Sequence, residues 1–152
     1  MTVTEFWREY LHFAKLDENT KYYECFYFGW SESMANELLA LVLEGKKRAT
    51  SSCFVTYEKE GSPLPKAGDL SIVTDFAGEP YCVIETTAVT ILPFCEMTYE
   101  ICSREGEDEV LETWRQAHER GFTAEGQELG FEFTPDMPVI FEDFSVVYIK
   151  NG

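Results

Sequence analysis

A chain of 152 residues, 45% hydrophobic and 15% aromatic, is sized for one domain with a substantial core. Its 28 acids and 12 bases give a net charge of −16, which sets most of the surface against a polyanion, because nucleic-acid affinity rests largely on cations that displace phosphate counterions. Long RNA or DNA is therefore excluded as the expected partner. A membrane span is excluded too, since the longest apolar-rich run, Tyr81 to Phe94, carries Glu85 and Pro93 and is too short for a bilayer.

The chain opens Met1-Thr2-Val3-Thr4-Glu5, without the basic and apolar regions of a secretory leader, and a cytoplasmic location is expected. Thr2 to Glu5 is a capping box, and Phe6, Trp7, Tyr10, Leu11 and Ala14 follow at helical spacing. The aromatic run Tyr22 to Phe28 predicts a strand closed by Gly29. A second helix follows, capped by Ser31 or Ser33, with Met34, Leu38, Leu41 and Val42 facing inward and Gly45 just past its end. Period-two patterns then predict strands over residues 50–57, 70–74 and 81–91, with Ala77-Gly78-Glu79-Pro80 as a hairpin turn. A third helical region holds Val110, Leu111, Trp114, Ala117 and His118, and residues 139–149 close the chain as a strand pair or one long bent strand. The order α-β-α-β-β-β-α-β predicts an α+β domain with a mixed, largely antiparallel sheet flanked by helices, and no repeat or linker divides residues 1–152.

The five cysteines, Cys25, Cys53, Cys82, Cys95 and Cys102, are odd in number and unpaired in spacing, as expected of reduced thiols. The two histidines, His12 and His118, lie far from any cysteine pair, so no metal and no cofactor is expected. Nothing in the sequence sets an oligomeric state.

Three segments carry potential chemistry. In Gly45-Lys46-Lys47-Arg48-Ala49-Thr50-Ser51-Ser52, three contiguous cations run into three hydroxyls at a helix-to-strand junction, which suits an anionic or amide-bearing ligand. The plainer reading is a basic helix end that neutralises the dipole and then enters a strand. Glu85, a lone charge in a strand among Val83, Ile84, Thr86 and Thr87, is placed for proton transfer or for a structural ion pair. Glu105-Gly106-Glu107-Asp108-Glu109 could bind a divalent cation or form the solvated start of a helix, and Trp114 with His118 shares one face of that helix, the usual setting of a packed histidine.

Gly45-Lys46-Lys47-Arg48-Ala49-Thr50 matches the Gly-x-Lys-x-x-Thr signature, and the chain around it resembles the longer bacterial branch of the ASCH (activating-signal-cointegrator homology) family. Phe28-Gly29-Trp30, Leu64-Pro65, Gly68-Asp69, Val83-Ile84-Glu85, Pro93-Phe94 and Trp114-Arg115 carry the likeness over about residues 22–148. The resemblance implies a PUA-like, partly closed β-barrel with helices around it. It also implies a cleft where the Gly-x-Lys-x-x-Thr loop meets a glutamate. Some small members are amidohydrolases that deacylate N4-acetylcytidine with a lysine, a threonine and a glutamate, and these roles fall on Lys47, Thr50 and Glu85. One departure stands in the acidic loop, where longer relatives read Glu-Gly-Glu-Gly-Asp and this chain has Asp108 in place of the second glycine.

The expected function is thus hydrolysis of a small amide, such as an acylated, modified nucleoside. Phe28, Trp30, Arg48, Ser51, Ser52, Trp114 and His118 are the expected ligand-binding positions. The alternatives are a non-catalytic module for a modified nucleoside or short RNA, or a ribonuclease-like protein. Two proton assignments stay open: a neutral Lys47 as base with Glu85 as acid, or a charged Lys47 at the oxyanion with Glu85 as base. Lys47 and Thr50 are three residues apart, so they converge only if the junction between them is irregular.

Overall fold

The computed structural model describes residues 1–150 of the 152. Helix α1, Val3–Ala14, starts where Thr2 accepts a hydrogen bond from the Glu5 amide at 3.1 Å, as the capping box predicts. Of the aromatic run only Glu24–Phe26 forms a strand, β1, and the chain turns away at Gly29 with a φ of 81°. Ser31 caps α2, Glu32–Leu43, and Gly45 follows it at a φ of 80°.

The predicted strand over 50–57 is corrected. Strand β2 spans Ala49–Cys53, and Phe54–Glu60 is a short helix, α3, ended by Gly61 in the left-handed region. Alternating apolar residues continue past Cys53, but the Gly61 stop marks a helix end that the period-two pattern hides. Strands β3, Leu70–Thr74, and β4, Pro80–Pro93, form the expected hairpin. After the short helix α4, Tyr99–Cys102, the long helix α5 runs over Leu111–Leu129, and one continuous strand, β5, Pro138–Ile149, closes the fold.

The strands form one five-stranded sheet in the order β1-β3-β4-β5-β2, with β1 parallel to β3 and every other pair antiparallel. Register shifts in β4 between Val83 and Ile84 and between Thr86 and Ala88 bend the central strand, because a bulge adds local twist. The sheet curls into a half-barrel whose end strands, β1 and β2, do not pair with each other.

Alternating side chains feed three clusters. Ile72, Val83 and Tyr148 pack against Phe6, Trp7, Tyr10 and Leu11 of α1. Val73, Cys82, Ile84 and Phe144 pack against Phe28 and against Leu39 and Val42 of α2. Val139 and Phe141 pack with Phe94 and with Trp114 and Phe122 of α5. Each fully buried aromatic or aliphatic side chain contributes roughly 1.5–3 kcal/mol against exposure, so these helices are held mainly by their inner faces. Among the described residues no helix is long and apolar enough to cross a membrane.

All five cysteines are free, with Cys53, Cys82 and Cys102 buried and Cys95 exposed. Burial pushes the Cys82 thiol up to about 12 and, with help from Glu105 and Asp108, the Cys102 thiol up to about 11. Titration of the native protein with a thiol reagent at neutral pH should show one fast cysteine, Cys95, and all five should react in denaturant without prior reduction. Rapid labelling of Cys82 in the native state would contradict this packing.

Candidate active site

Lys47 is the organising residue. It follows Gly45 in the irregular junction between α2 and β2, where the amides of Lys46 and Lys47 both return to the Leu41 carbonyl. Its side chain therefore leaves the surface while those of Lys46 and Arg48 stay exposed. The Lys47 residue is 1% exposed, and its ammonium donates to the Ala49 carbonyl at 2.8 Å and to Glu107 Oε2 at 2.6 Å. Glu105 Oε1 stands 3.7 Å away, and the Phe28 ring lies beneath the ammonium at 5.0 Å from its centroid.

Both carboxylates come from the acidic loop, and Gly106 is the reason they reach. Its φ is 73°, and a Cβ there would lie 2.3 Å from the Lys46 carbonyl oxygen, so only glycine lets the loop press against the Lys46–Lys47 peptide. The Arg48 amide bonds the Arg104 carbonyl at 2.9 Å and closes the same contact. Glu105 is 1% exposed, and its Oε2 accepts from Trp114 Nε1 at 2.6 Å and from Ser51 Oγ at 2.8 Å. Glu105 and Glu107 turn to Lys47, a role that neither reading of this loop foresaw, while Glu109 stays exposed just ahead of α5. Among the described residues no group of three or more His, Cys, Asp or Glu side chains is placed to hold a metal.

These groups line a cavity of about 240 Å³ with Thr50, Ser51 and His118, walled by Phe28, Trp30, Met34, Leu38 and Phe122. Strand β2 ends the sheet, so its neighbouring residues Thr50 and Ser51 both reach this open edge. The junction supplies the irregularity that lets Lys47 and Thr50 meet at one cavity. Trp30 is 67% exposed at the wall, whereas Trp114 is fully buried behind it and touches the cavity only through Glu105 and His118.

Glu85 is not there. It is paired across the sheet with Leu70 and Ser145, and its charge acts on Tyr10 of α1, whose hydroxyl burial and Glu85 together push up. The adjacent Thr86 instead donates to Glu142, the residue directly opposite Thr50, so the Thr50 face of the sheet takes Thr86 and turns Glu85 away. The expected Lys47, Thr50 and Glu85 triad is therefore corrected: Lys47 and Thr50 meet, and the carboxylates beside them are Glu105 and Glu107. Arg48 lines no cavity described here, and Ser52 lines the neighbouring one.

That second cavity, about 360 Å³, lies between the unpaired β1 and β2 edges and shares Ser51 and Glu125 with the first. Tyr23, Glu24, Ser52, Tyr57 and Glu60 line it. Carboxylates dominate its field: burial first, then like charges, raises Glu24 and Glu125 above the usual range. Glu142 is pushed up to about 7 by burial, then by Glu24 and Asp69, against a hydrogen bond from Thr86. The Tyr57 hydroxyl rises to about 12 through burial, then through the charges of Glu142 and Glu24.

The model of the ASCH domain family matches residues 24–148. The chain belongs to the ASCH domain family. A crystal structure from Enterococcus faecalis V583, of the family DUF984, is 34% identical and superposes with a TM-score of 0.89 over 97% of this chain and 88% of that one. The ASCH domain from Lactobacillus crispatus JV V101 is 32% identical, with a TM-score of 0.85 over 97% of this chain and 96% of that one. No functionally curated protein matches. In this ASCH domain the Gly-x-Lys-x-x-Thr segment thus forms one wall of the smaller cavity, and the acidic loop that clamps Lys47 forms another.

Glu142 gives this domain a testable pH dependence. Its folded-state pKa lies above the unfolded carboxylate value, so its contribution to stability is complete below about pH 4.5 and is lost as pH rises through about 7. At about 1.36 kcal/mol per unit the ceiling is about 3 kcal/mol, and partial solvent access reduces it. Glu142→Gln should melt higher than the wild type at pH 8 and equally at pH 4. A variant less stable at both values would contradict the assignment.

Proposed function

We propose that this ASCH domain hydrolyses a small linear amide carried on a flat ring, an acylated nucleoside such as N4-acetylcytidine being the model substrate. The observation that carries the reading is the buried ammonium of Lys47, fixed between two carboxylates on the wall of a cavity that also presents Thr50. An ammonium held in place before the substrate arrives can stabilise an oxyanion without reorganising. Of the two roles that the sequence leaves open for Lys47, its surroundings favour the oxyanion-stabilising one. Two carboxylate oxygens face its nitrogen, Glu107 Oε2 at 2.6 Å and Glu105 Oε1 at 3.7 Å.

In this reading Thr50 Oγ attacks the acyl carbon, Lys47 Nζ takes the developing negative charge, and Glu105 and Glu107 hold the ammonium in place. The cavity suits a compact ligand, and Phe28 and Trp30 supply flat apolar surface for a ring. The exposure of Trp30 equally suits a module that stacks a modified nucleoside without cleaving it. Turnover separates the two readings.

Incubation with a panel of N4-acylcytidines, followed by separation of products, should show release of cytidine and the carboxylic acid. Lys47→Ala and Thr50→Ala should each lower kcat/KM at least about a hundredfold, as removal of an oxyanion donor or a nucleophile does. Glu85→Gln should stay within about twofold of wild type, because Glu85 faces α1. Loss of activity in Glu85→Gln together with full activity in Thr50→Ala would overturn this site.

A further inference from the structure

The attack of Thr50 needs a group to take its proton, and the geometry assigns the nearby groups other tasks. Lys47 is a donor, Glu107 is bonded to it, and Glu105 Oε2 already accepts from Trp114 and Ser51. Glu125 lines both cavities and accepts from Thr56 through Oε2. The smaller cavity is also lined by a histidine, His118, whose Nε2 makes no hydrogen bond among the described residues.

The ring of His118 is held from several sides. It stacks on Trp114 with centroids 4.4 Å apart and an interplanar angle of 20°, and meets Phe122 edge-on at 5.8 Å. Its Nδ1 lies 2.9 Å from the Trp114 carbonyl oxygen. A carbonyl can only accept, so Nδ1 carries the proton, and in the neutral ring the lone pair is on Nε2. That atom lies 3.7 Å from Glu105 Oε1, beyond hydrogen-bond reach, and Glu105 Oε1 lies equally far from Lys47 Nζ. A carboxylate at that distance can steady an imidazolium without occupying the nitrogen beforehand.

We infer that His118 Nε2 is the proton-transfer group of the site, an assignment that rests on the hydrolase reading above. Nε2 takes the Thr50 hydroxyl proton, directly or through one water, as Oγ bonds to the acyl carbon. Collapse of the tetrahedral intermediate breaks the C–N bond, and the same proton passes from Nε2 to the leaving nitrogen, which departs as the free amine. Water then attacks the Thr50 ester while Nε2 takes one of its protons. The C–Oγ bond breaks, that proton returns to Thr50, and the carboxylic acid leaves. Each cycle consumes one amide and one water and restores the neutral ring.

Asparagine at this position keeps an N–H donor for the Trp114 carbonyl and removes the basic nitrogen. His118→Asn should therefore keep the wild-type melting temperature within a few degrees and leave KM within about threefold, while kcat falls at least a hundredfold. His118→Ala opens a space beside Trp114, and added imidazole should restore part of its lost turnover in a saturable manner. A purely structural ring would show neither the split between kcat and KM nor the rescue. Active wild type with near-normal kcat in His118→Asn, or with no imidazole rescue of His118→Ala, overturns the His118 assignment alone. Wild type that turns over no amide in the panel overturns the hydrolase reading and this assignment with it.

Discussion

The burial of one ammonium group governs this molecule. Taking the charge of Lys47 out of water costs several kcal/mol, and that cost is offset only when good partners sit close to it. Glu107 at 2.6 Å, the Ala49 carbonyl at 2.8 Å and Glu105 at 3.7 Å meet that demand. They do so only because Gly45 turns the chain at the end of α2 and Gly106 lets the acidic loop touch the Lys46–Lys47 peptide. Trp114 and Ser51 then orient Glu105, which links the core under α5 to the edge of β2. Removing one member of such a buried pair costs about 3–5 kcal/mol, because the remaining charge is left stranded. The cavity is the space that this clamp leaves open.

The charge distribution makes sense of the excess of acid. Of the three contiguous cations, the middle one turns inward and the outer two stay exposed, so the segment is not a broad basic patch for a polyanion. Residues 96–145 hold 14 acids and 3 bases, yet the two acids with the largest structural role are consumed internally by Lys47. The neighbouring cavity, with Glu24, Glu60 and Glu125 on its walls, has a field that discourages anionic ligands from that side.

Local rules were legible where local forces decide. Thr2 and Ser31 as caps, Gly45 as a stop, the β3–β4 hairpin and the long final strand all follow from capping chemistry and period. Residues 54–60 were not, because a half-buried short helix and a half-buried strand share the same apolar alternation there until Gly61 is weighed. The length of α5 was hidden by its polar face and its internal glycines. Gly126, for one, sits where a Cβ would lie 2.3 Å from the Phe131 carbonyl oxygen.

The site was half legible. Lys47 and Thr50 stand in one short motif, but the choice of Glu85 required knowing which face of β4 turns toward β2. The bulges in that strand are invisible in the sequence. The true partners carried a signal that could have been used: a glycine between two glutamates is a way to bring two carboxylates to one cation around a tight turn. His118 read as a packed ring, and one of its nitrogens is indeed satisfied. Only the geometry shows that this ring lines the cavity, with its other nitrogen free of hydrogen bonds and 3.7 Å from Glu105.

The central claim is that the clamp on Lys47 builds a site for an acyl carbonyl. A crystal structure of Thr50→Ala soaked with N4-acetylcytidine tests it most directly, since that variant should bind and not cleave. The account predicts the ring against Phe28 and Trp30 with the acyl oxygen within hydrogen-bond distance of Lys47 Nζ. Ligand seated between Tyr23 and Tyr57 in the neighbouring cavity, with the Lys47 cavity empty, would contradict it.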